Sequence, residues 1–346
     1  MHTQQCTTCG KNFVPKFSFQ KVDANGTLTF YCSISCRNPV LNTKESKICS
    51  VCSKLTPITK INQIYSVNGA TYYFCDTTCR AQFLAKKEEP KEKFPSTKSA
   101  RKIAILNKKG GTGKTTTALN LAASLSIKGY KTLLVDTDSQ GNIAASLGLK
   151  WPRTLGHFLA DGIQFESCIV SKAPNWDIML SDEDIAHVEL NLATVKEREF
   201  VLKKKFEKIS PRYDFIIFDC APSHSLMNKN TLLFVEELII TVSCDYLSVV
   251  GLNQVLKYIK HIKDLYKHNI KILGILPTFY DIRNNIANRV IELLRSNFNG
   301  KVLDPIRINT TLREAPLYKK TIFEHDQLSR GAEDYHNLTA HVIRKA

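Results

Sequence analysis

Lys108-Lys109-Gly110-Gly111-Thr112-Gly113-Lys114-Thr115-Thr116 decides how this 346-residue chain is read. The segment follows a short apolar run at 102–107 and precedes a stretch of helical periodicity at 114–128. A glycine-rich turn between strand and helix lets backbone N–H groups close around phosphate oxygens at the helix N-terminus. In such a loop Lys114 reaches the β- and γ-phosphates, and the Thr115 hydroxyl ligates Mg2+. The first glycine of the strict G-x-x-x-x-G-K-[ST] pattern is missing, and the loop reads K-G-G-x-G-K-T. Outward from it, apolar runs at 131–136, 213–219, 237–243 and 271–277 read as buried strands. Helical patterns lie between them at about 196–209, 251–267 and 284–297, and another closes the chain near 331–344. Strands alternating with helices predict an α/β fold with a mostly parallel sheet flanked by helices.

A second lysine, Lys109, stands beside the loop. This resembles the deviant Walker A ATPases, which implies a P-loop NTPase fold. In that family the extra lysine reaches across a dimer to the partner's nucleotide, so that ATP joins two subunits. Leu133 to Asn142, with Asp136, Asp138, Gln140 and Gly141, resembles the D-x-D-P-Q-G-N segment of the ParA/Soj partition ATPases within that superfamily. Phe215 to Ser223 resembles their Walker B and second switch. Leu312-Arg313-Glu314-Ala315-Pro316 resembles their L-S-E-A-P, and Asp326 to Ala332 their D-x-x-S-K-G-A. The resemblance covers about 101–346, with its motifs in order at four separated places.

The resemblance implies slow ATP hydrolysis with Lys109, Lys114 and Asp138 as catalytic residues, Asp138 positioning the attacking water. ATP would be held by Lys109, Gly110, Gly111, Thr112, Gly113, Lys114, Thr115 and Thr116, with Asn309 at the adenine. Magnesium would lie near Thr115, Asp136 and Asp219. An aspartate ending a buried strand also has a plainer reading as a helix cap. Three positions depart from the family. Ser139 and Ala221 stand where prolines are usual, and Lys108 where a glutamine is usual, which bears on switch rigidity and hydrolysis rate.

Forty-eight Lys and Arg against 32 Asp and Glu leave a net charge of +16, which favours an anionic partner, nucleic acid first. Residues 1–100 hold 14 of the basic and 6 of the acidic side chains, so the first third is the most basic. Lysines and arginines at phosphates would bind DNA without reading sequence. The candidates are Arg283, which matches an arginine of the family's D-x-R-T segment, and the later cluster Arg307, Arg313, Lys319, Lys320 and Arg330. The expected partners are DNA, a second copy of the chain in a nucleotide-dependent homodimer, and a centromere-binding protein that stimulates hydrolysis. A membrane partner is not expected: no apolar run suffices to span, and 335–346 reads as the last helix of the fold rather than a basic anchor. The polar N-terminus is no signal peptide, so the expected location is the cytoplasm, on the nucleoid.

Eight of the eleven cysteines lie in the first 79 residues and repeat at an interval of 43. Cys6, Cys9, Cys32 and Cys36 match Cys49, Cys52, Cys75 and Cys79, and Asn25-Gly26 and Asn68-Gly69 mark a hairpin in each unit. Four thiolates suffice for one tetrahedral Zn2+, so two zinc ions are expected, one per unit. Disulfides, iron–sulfur ligation and transient metal handling are the alternatives. Cys9-Gly10 and Tyr31-Cys32-Ser33 to Cys36 resemble TRASH/MYM-type treble-clef zinc fingers. Cys168, Cys220 and Cys244 are isolated in sequence and read as core residues, which weakens a metallocofactor-handling ATPase. The expected order is zinc module 1 at 1–42, zinc module 2 at 43–85, a charged linker at 86–100 and the ATPase domain at 101–346. A regulatory ATPase of the same fold, with zinc modules that recognise a protein, is the competing expectation.

Overall fold

Short strands are what the described residues of the first 80 build, because a module of this size cannot bury a large core. This computed structural model of the protein describes residues 3–15, 20–24, 27–32, 36, 46–58, 63–67, 70–87, 100–160 and 163–344. The chain divides into two compact units, Met1–Glu92 and Lys93–Ala346. In the first, β1 (Gln4–Gln5) pairs antiparallel with β2 (Asn12–Phe13), and β3 (Lys21–Ala24) with β4 (Thr27–Phe30). The repeat follows with β5 (Ser46–Ile48) on β6 (Leu55–Pro57) and β7 (Ile64–Val67) on β8 (Ala70–Tyr73), closed by α1 (Thr77–Lys87). The last register pairs of the two hairpins are Ala24↔Thr27 and Val67↔Ala70. The expected turn residues Asn25-Gly26 and Asn68-Gly69 lie outside the described residues, as do 88–99 of the expected linker. Phe74 is fully buried and packs on Phe83 at 5.2 Å between ring centres.

The described residues of the second unit carry seven strands: β9 (Arg101–Leu106), β10 (Thr132–Asp136), β11 (Ile169–Ala173), β12 (Trp176–Met179), β13 (Phe215–Asp219), β14 (Glu237–Ser243) and β15 (Lys271–Thr278). They form one sheet in the order β11-β12-β10-β13-β9-β14-β15. Every neighbouring pair is parallel except β11–β12 at the edge. The helices are α2 (Lys114–Ile127), α3 (Asn142–Leu147), α4 (Leu155–Ala160), α5 (Asp184–Leu192), α6 (Val201–Phe206), α7 (Leu226–Phe234), α8 (Tyr246–Tyr266), α9 (Asn285–Asn297), α10 (Thr310–Glu314), α11 (Ile322–His325) and α12 (Arg330–Arg344).

Alternation along each strand divides the core into two layers. Ile103, Ile105, Leu134 and Ile217 face the side covered by α2 and α12, and Ala104, Leu106, Ile216 and Phe218 the side covered by α7 and α8. The expected mostly parallel sheet flanked by helices is the observed one. Where 196–209 was expected to be one helix, a 3-10 turn at Arg198–Phe200 precedes the shorter α6. Helix α8 begins five residues earlier than the apolar spacing indicates, because the Asp245 carboxylate caps it by accepting from Ser248 N. The edge pair β11 and β12 and helices α3, α4, α5, α7, α10 and α11 are additions to the expected series. Among the described residues, no helix is long and apolar enough to cross a membrane.

Candidate nucleotide site and cysteine clusters

Parallel strands set their C-terminal ends side by side, and in open α/β sheets ligands bind there. Asp136 ends β10 opposite Asp219, which ends β13, and β9 beside them leads into the phosphate loop. Asn107 organises the start of that loop. Its Nδ2 donates to Thr241 O, and its Oδ1 accepts from Lys109 N at 3.0 Å. Thr278 Oγ1 donates to Thr112 O at 3.0 Å from β15. Gly111 and Gly113 then turn with positive φ, 70° and 80°, and Gly113 leads into α2. A cavity of about 430 Å³ opens over the loop, lined by Gly110, Gly111, Gly113, Lys114, Thr115 and Thr116 together with Asp138. A second, of about 270 Å³, is lined by Thr116, Phe279, Ile306, Arg307, Asn309 and Tyr335 among others.

Lys114 is 7% exposed, and burial lowers its pKa while the nearby Asp219 pushes the other way. Its Nζ donates to Lys109 O at 3.0 Å. Asp219 is 1% exposed, and neither carboxylate oxygen takes a hydrogen bond. Burial pushes its pKa up to about 7 against the pull of Thr115 and Lys114. A buried carboxylate without a partner, beside a threonine hydroxyl, is a donor set that suits Mg2+. Asp136, expected near the metal, is turned to its own loop: it accepts from Asp138 N at 3.0 Å and Ile143 N at 3.2 Å. Burial, and then Asp219, raise its pKa well above the carboxylate range. Asp138 lines the cavity while its Oδ1 accepts from Gln140 N at 3.1 Å.

Lys109, expected to reach a partner subunit, holds two groups of its own chain. Its Nζ lies 3.0 Å from Asp245 Oδ1 and 2.9 Å from Ser248 Oγ. Asn309 lines the smaller cavity but also caps α10, accepting from Thr311 N at 2.8 Å. Sequence reasoning passed over Asn107, Asp245, Ser248 and Phe279. Asn107 and Asp245 carried a signal, since each is a polar residue at the end of an apolar strand run. Phe279 lines both cavities with φ 56°, which its residue type does not foretell.

Residues 100–272 match the family described as AAA domain. The chain is 36% identical over 245 residues to the sporulation initiation inhibitor protein Soj of Bacillus subtilis, covering 69% of this chain and 97% of that protein. Against the chromosome partitioning protein ParA of Myxococcus xanthus the identity is also 36%, covering 71% and 88%. The chain belongs to the ParA/Soj family of partition ATPases. Among solved structures, a cobyrinic acid a,c-diamide synthase from Mycobacterium smegmatis superposes with a TM-score of 0.61 at 28% identity, covering 71% of this chain and 95% of that one. That protein was crystallised with a bound ATP analogue and magnesium.

The candidate basic residues of this partition ATPase fall into two groups. Arg307 is committed internally: its guanidinium pairs with Asp334, whose side chain is 6% exposed, at 2.6 Å and with Glu333 at 2.5 Å. Lys319 donates from Nζ to Ala145 O at 3.0 Å. Arg313, Lys319, Lys320 and Arg330 are exposed. Arg283 forks onto Asp281 yet remains 85% exposed. In the first unit the eight expected cysteines gather as two sets of four, each with its sulfur atoms within 4.8 Å of one another. None of the eight is in a disulfide. Cys9–Cys32 and Cys52–Cys75 Sγ separations are both 3.5 Å. Hydrogen bonds from neighbouring sulfurs raise the Cys32 pKa to about 12, and a cation at the centre would favour the ionised form of all four. A tetrahedron with metal–sulfur bonds of about 2.3 Å has edges just under about 4 Å, which these clusters fit. Cys168, Cys220 and Cys244 are buried in the other unit.

Proposed function

We propose that this partition ATPase binds DNA non-specifically as an ATP-bound dimer and is released by slow, partner-stimulated hydrolysis. The observation that carries the reading is Lys109 and Lys114 flanking a glycine loop beside the partnerless carboxylate of Asp219. In this reading Gly110 to Thr116 enclose the phosphates, and the smaller cavity beyond Thr116, with Asn309 on its wall, takes the base. Thr115 and Asp219 hold magnesium, Asp219 through water, and Asp136 supports the loop they face. When bound, that ion would supply positive charge to offset the negative charge that develops on the transferred phosphoryl group. Asp138 orients the attacking water, and Lys109 leaves Asp245 to meet the partner's nucleotide. DNA phosphates meet Arg283, Arg313, Lys320 and Arg330, since Arg307 and Lys319 are committed elsewhere. Each four-cysteine set holds one zinc ion, which folds modules 1–42 and 43–85. A linker at 86–100 joins them to the ATPase domain at 101–346, and the chain acts in the cytoplasm on the nucleoid.

The test is DNA binding by the full chain with and without ATP and Mg2+ over a range of salt. ATP-dependent, sequence-independent affinity that falls steeply with salt is expected. If Lys114→Ala leaves DNA binding unchanged, the ATP switch is wrong.

One observation favours a second reading, in which the zinc modules recognise a protein. Ile48 and Leu55 are cross-strand partners on the second knuckle and are 64% and 65% exposed. Their counterparts 43 residues earlier are Gln5 and Asn12. An apolar pair held in water on one module alone suits a protein surface better than DNA phosphates.

A further inference from the structure

Lys319 follows the 3-10 turn Ala315–Tyr318 with φ 57°, a left-handed conformation that glycine adopts more cheaply than lysine. Its side chain is exposed but follows a defined path. The stem crosses Gly148, the left-handed residue that ends α3, and a Cβ on Gly148 would lie 2.8 Å from Lys319 Cγ and 3.1 Å from its Cβ. A glycine at 148 therefore gives the lysine its track. The ammonium ends on Ala145 O at 3.0 Å, in the last turn of α3, where helix carbonyls and the negative end of the dipole favour a cation.

Helix α3 is not an arbitrary anchor. It starts directly after the Asp138–Gly141 turn, and Asn142 and Ser146 on it line the phosphate-loop cavity with Asp138. At the other end, Lys319 lies between the exposed cations Arg313 and Lys320. The 315–318 turn packs on α3, and this side chain adds a polar link from a helix on the nucleotide cavity to a basic segment 174 residues away in sequence.

We propose that Lys319 is a positioning residue that carries the nucleotide-dependent placement of α3 to the basic segment 313–320. It works through Ala145 and Gly148 rather than by touching DNA. The proposal rests on the reading that ATP controls DNA binding. The test uses the full chain carrying Lys319→Gly, which relieves the left-handed backbone and so keeps the fold. DNA affinity is measured with and without ATP and Mg2+, and as a function of salt. The ATP-dependent gain in affinity should fall about tenfold, the scale of one charge-assisted hydrogen bond, with the salt slope unchanged. An equal loss with and without ATP, with a salt slope reduced by about 1, would make Lys319 a simple phosphate contact and overturn the proposal.

Amide hydrogen exchange supplies a readout that needs no DNA. On adding ATP and Mg2+, amides in 142–149 and 313–320 of the unsubstituted chain should change protection together. In Lys319→Gly only 142–149 should respond. A response of 313–320 in the variant as large as in the parent chain overturns the tether. If the unsubstituted chain binds DNA equally with and without ATP, the parent reading fails, while the exchange experiment still decides the tether.

Discussion

Asp219 shows how a site residue is chosen against stability. Its carboxyl is buried and without a partner, and its pKa is raised to about 7 from an ordinary value near 4. The native state therefore holds a proton that the unfolded chain releases above about pH 4. Stability should be lost as pH rises from there through about 7, by up to a few kcal/mol. Asp219→Asn does not titrate. We expect it to melt higher than the parent chain at pH 8 without nucleotide, with the gap closing towards pH 4, and to abolish ATP hydrolysis. Thermal denaturation at a series of pH values checks the first part; an equal gap at pH 4 and pH 8 would refute it. That Asp219 ends a buried strand could be read from the apolar run before it. That Asp136, directly opposite it in register on the neighbouring strand, faces its own loop could not. The difference depends on where the backbone of 138–143 turns.

At the scale of elements, the 43-residue repeat extends from cysteine spacing to single hydrogen bonds. Cys6 N donates to Lys11 O and Cys49 N to Lys54 O, both at 2.9 Å. Gln20 and Gln63 each donate to the carbonyl of the third cysteine of their unit, Cys32 O at 3.0 Å and Cys75 O at 3.5 Å. The two glutamines were not singled out in the sequence, because nothing in a polar residue between strands announces its acceptor. Gly10 and Ser53 occupy the same left-handed position, φ 71° and 59°. Ser53→Gly should stabilise the second knuckle by about 0.5–1 kcal/mol and Gly10→Ser should weaken the first by a similar amount. Denaturant midpoints of the two variants against the parent chain test the pair, and midpoints that move in the same direction would contradict it. Helix α8 offers a second case, because Asp245 both caps it and pairs with Lys109. Asp245→Asn keeps a good cap, whereas Asp245→Ala should cost about 1 kcal/mol. Equal losses in calorimetry would mean that the ion pair, not the cap, matters to stability.

At the scale of the molecule, two units with separate cores should fail separately. Metal analysis should find two zinc ions per chain. A strong chelator should unfold residues 3–87, seen as collapse of their NMR dispersion, while ATP hydrolysis persists. Loss of hydrolysis together with zinc would mean that the units are energetically joined. The sequence by itself determined the phosphate loop, the alternation of strands and helices, and the cysteine sets. Each is a contiguous or regularly spaced pattern, set by backbone geometry and by the reach of a few residues along the chain. Only the tertiary structure decided which charges are free. Arg307 is neutralised by Asp334, Lys319 is drawn to Ala145, and Lys109 is held by Asp245. Those partners lie 27, 174 and 136 residues apart, and they meet because sheet order and helix packing bring distant segments together. A lysine or arginine has the same charge in every sequence context; the fold supplies the acceptor that uses it.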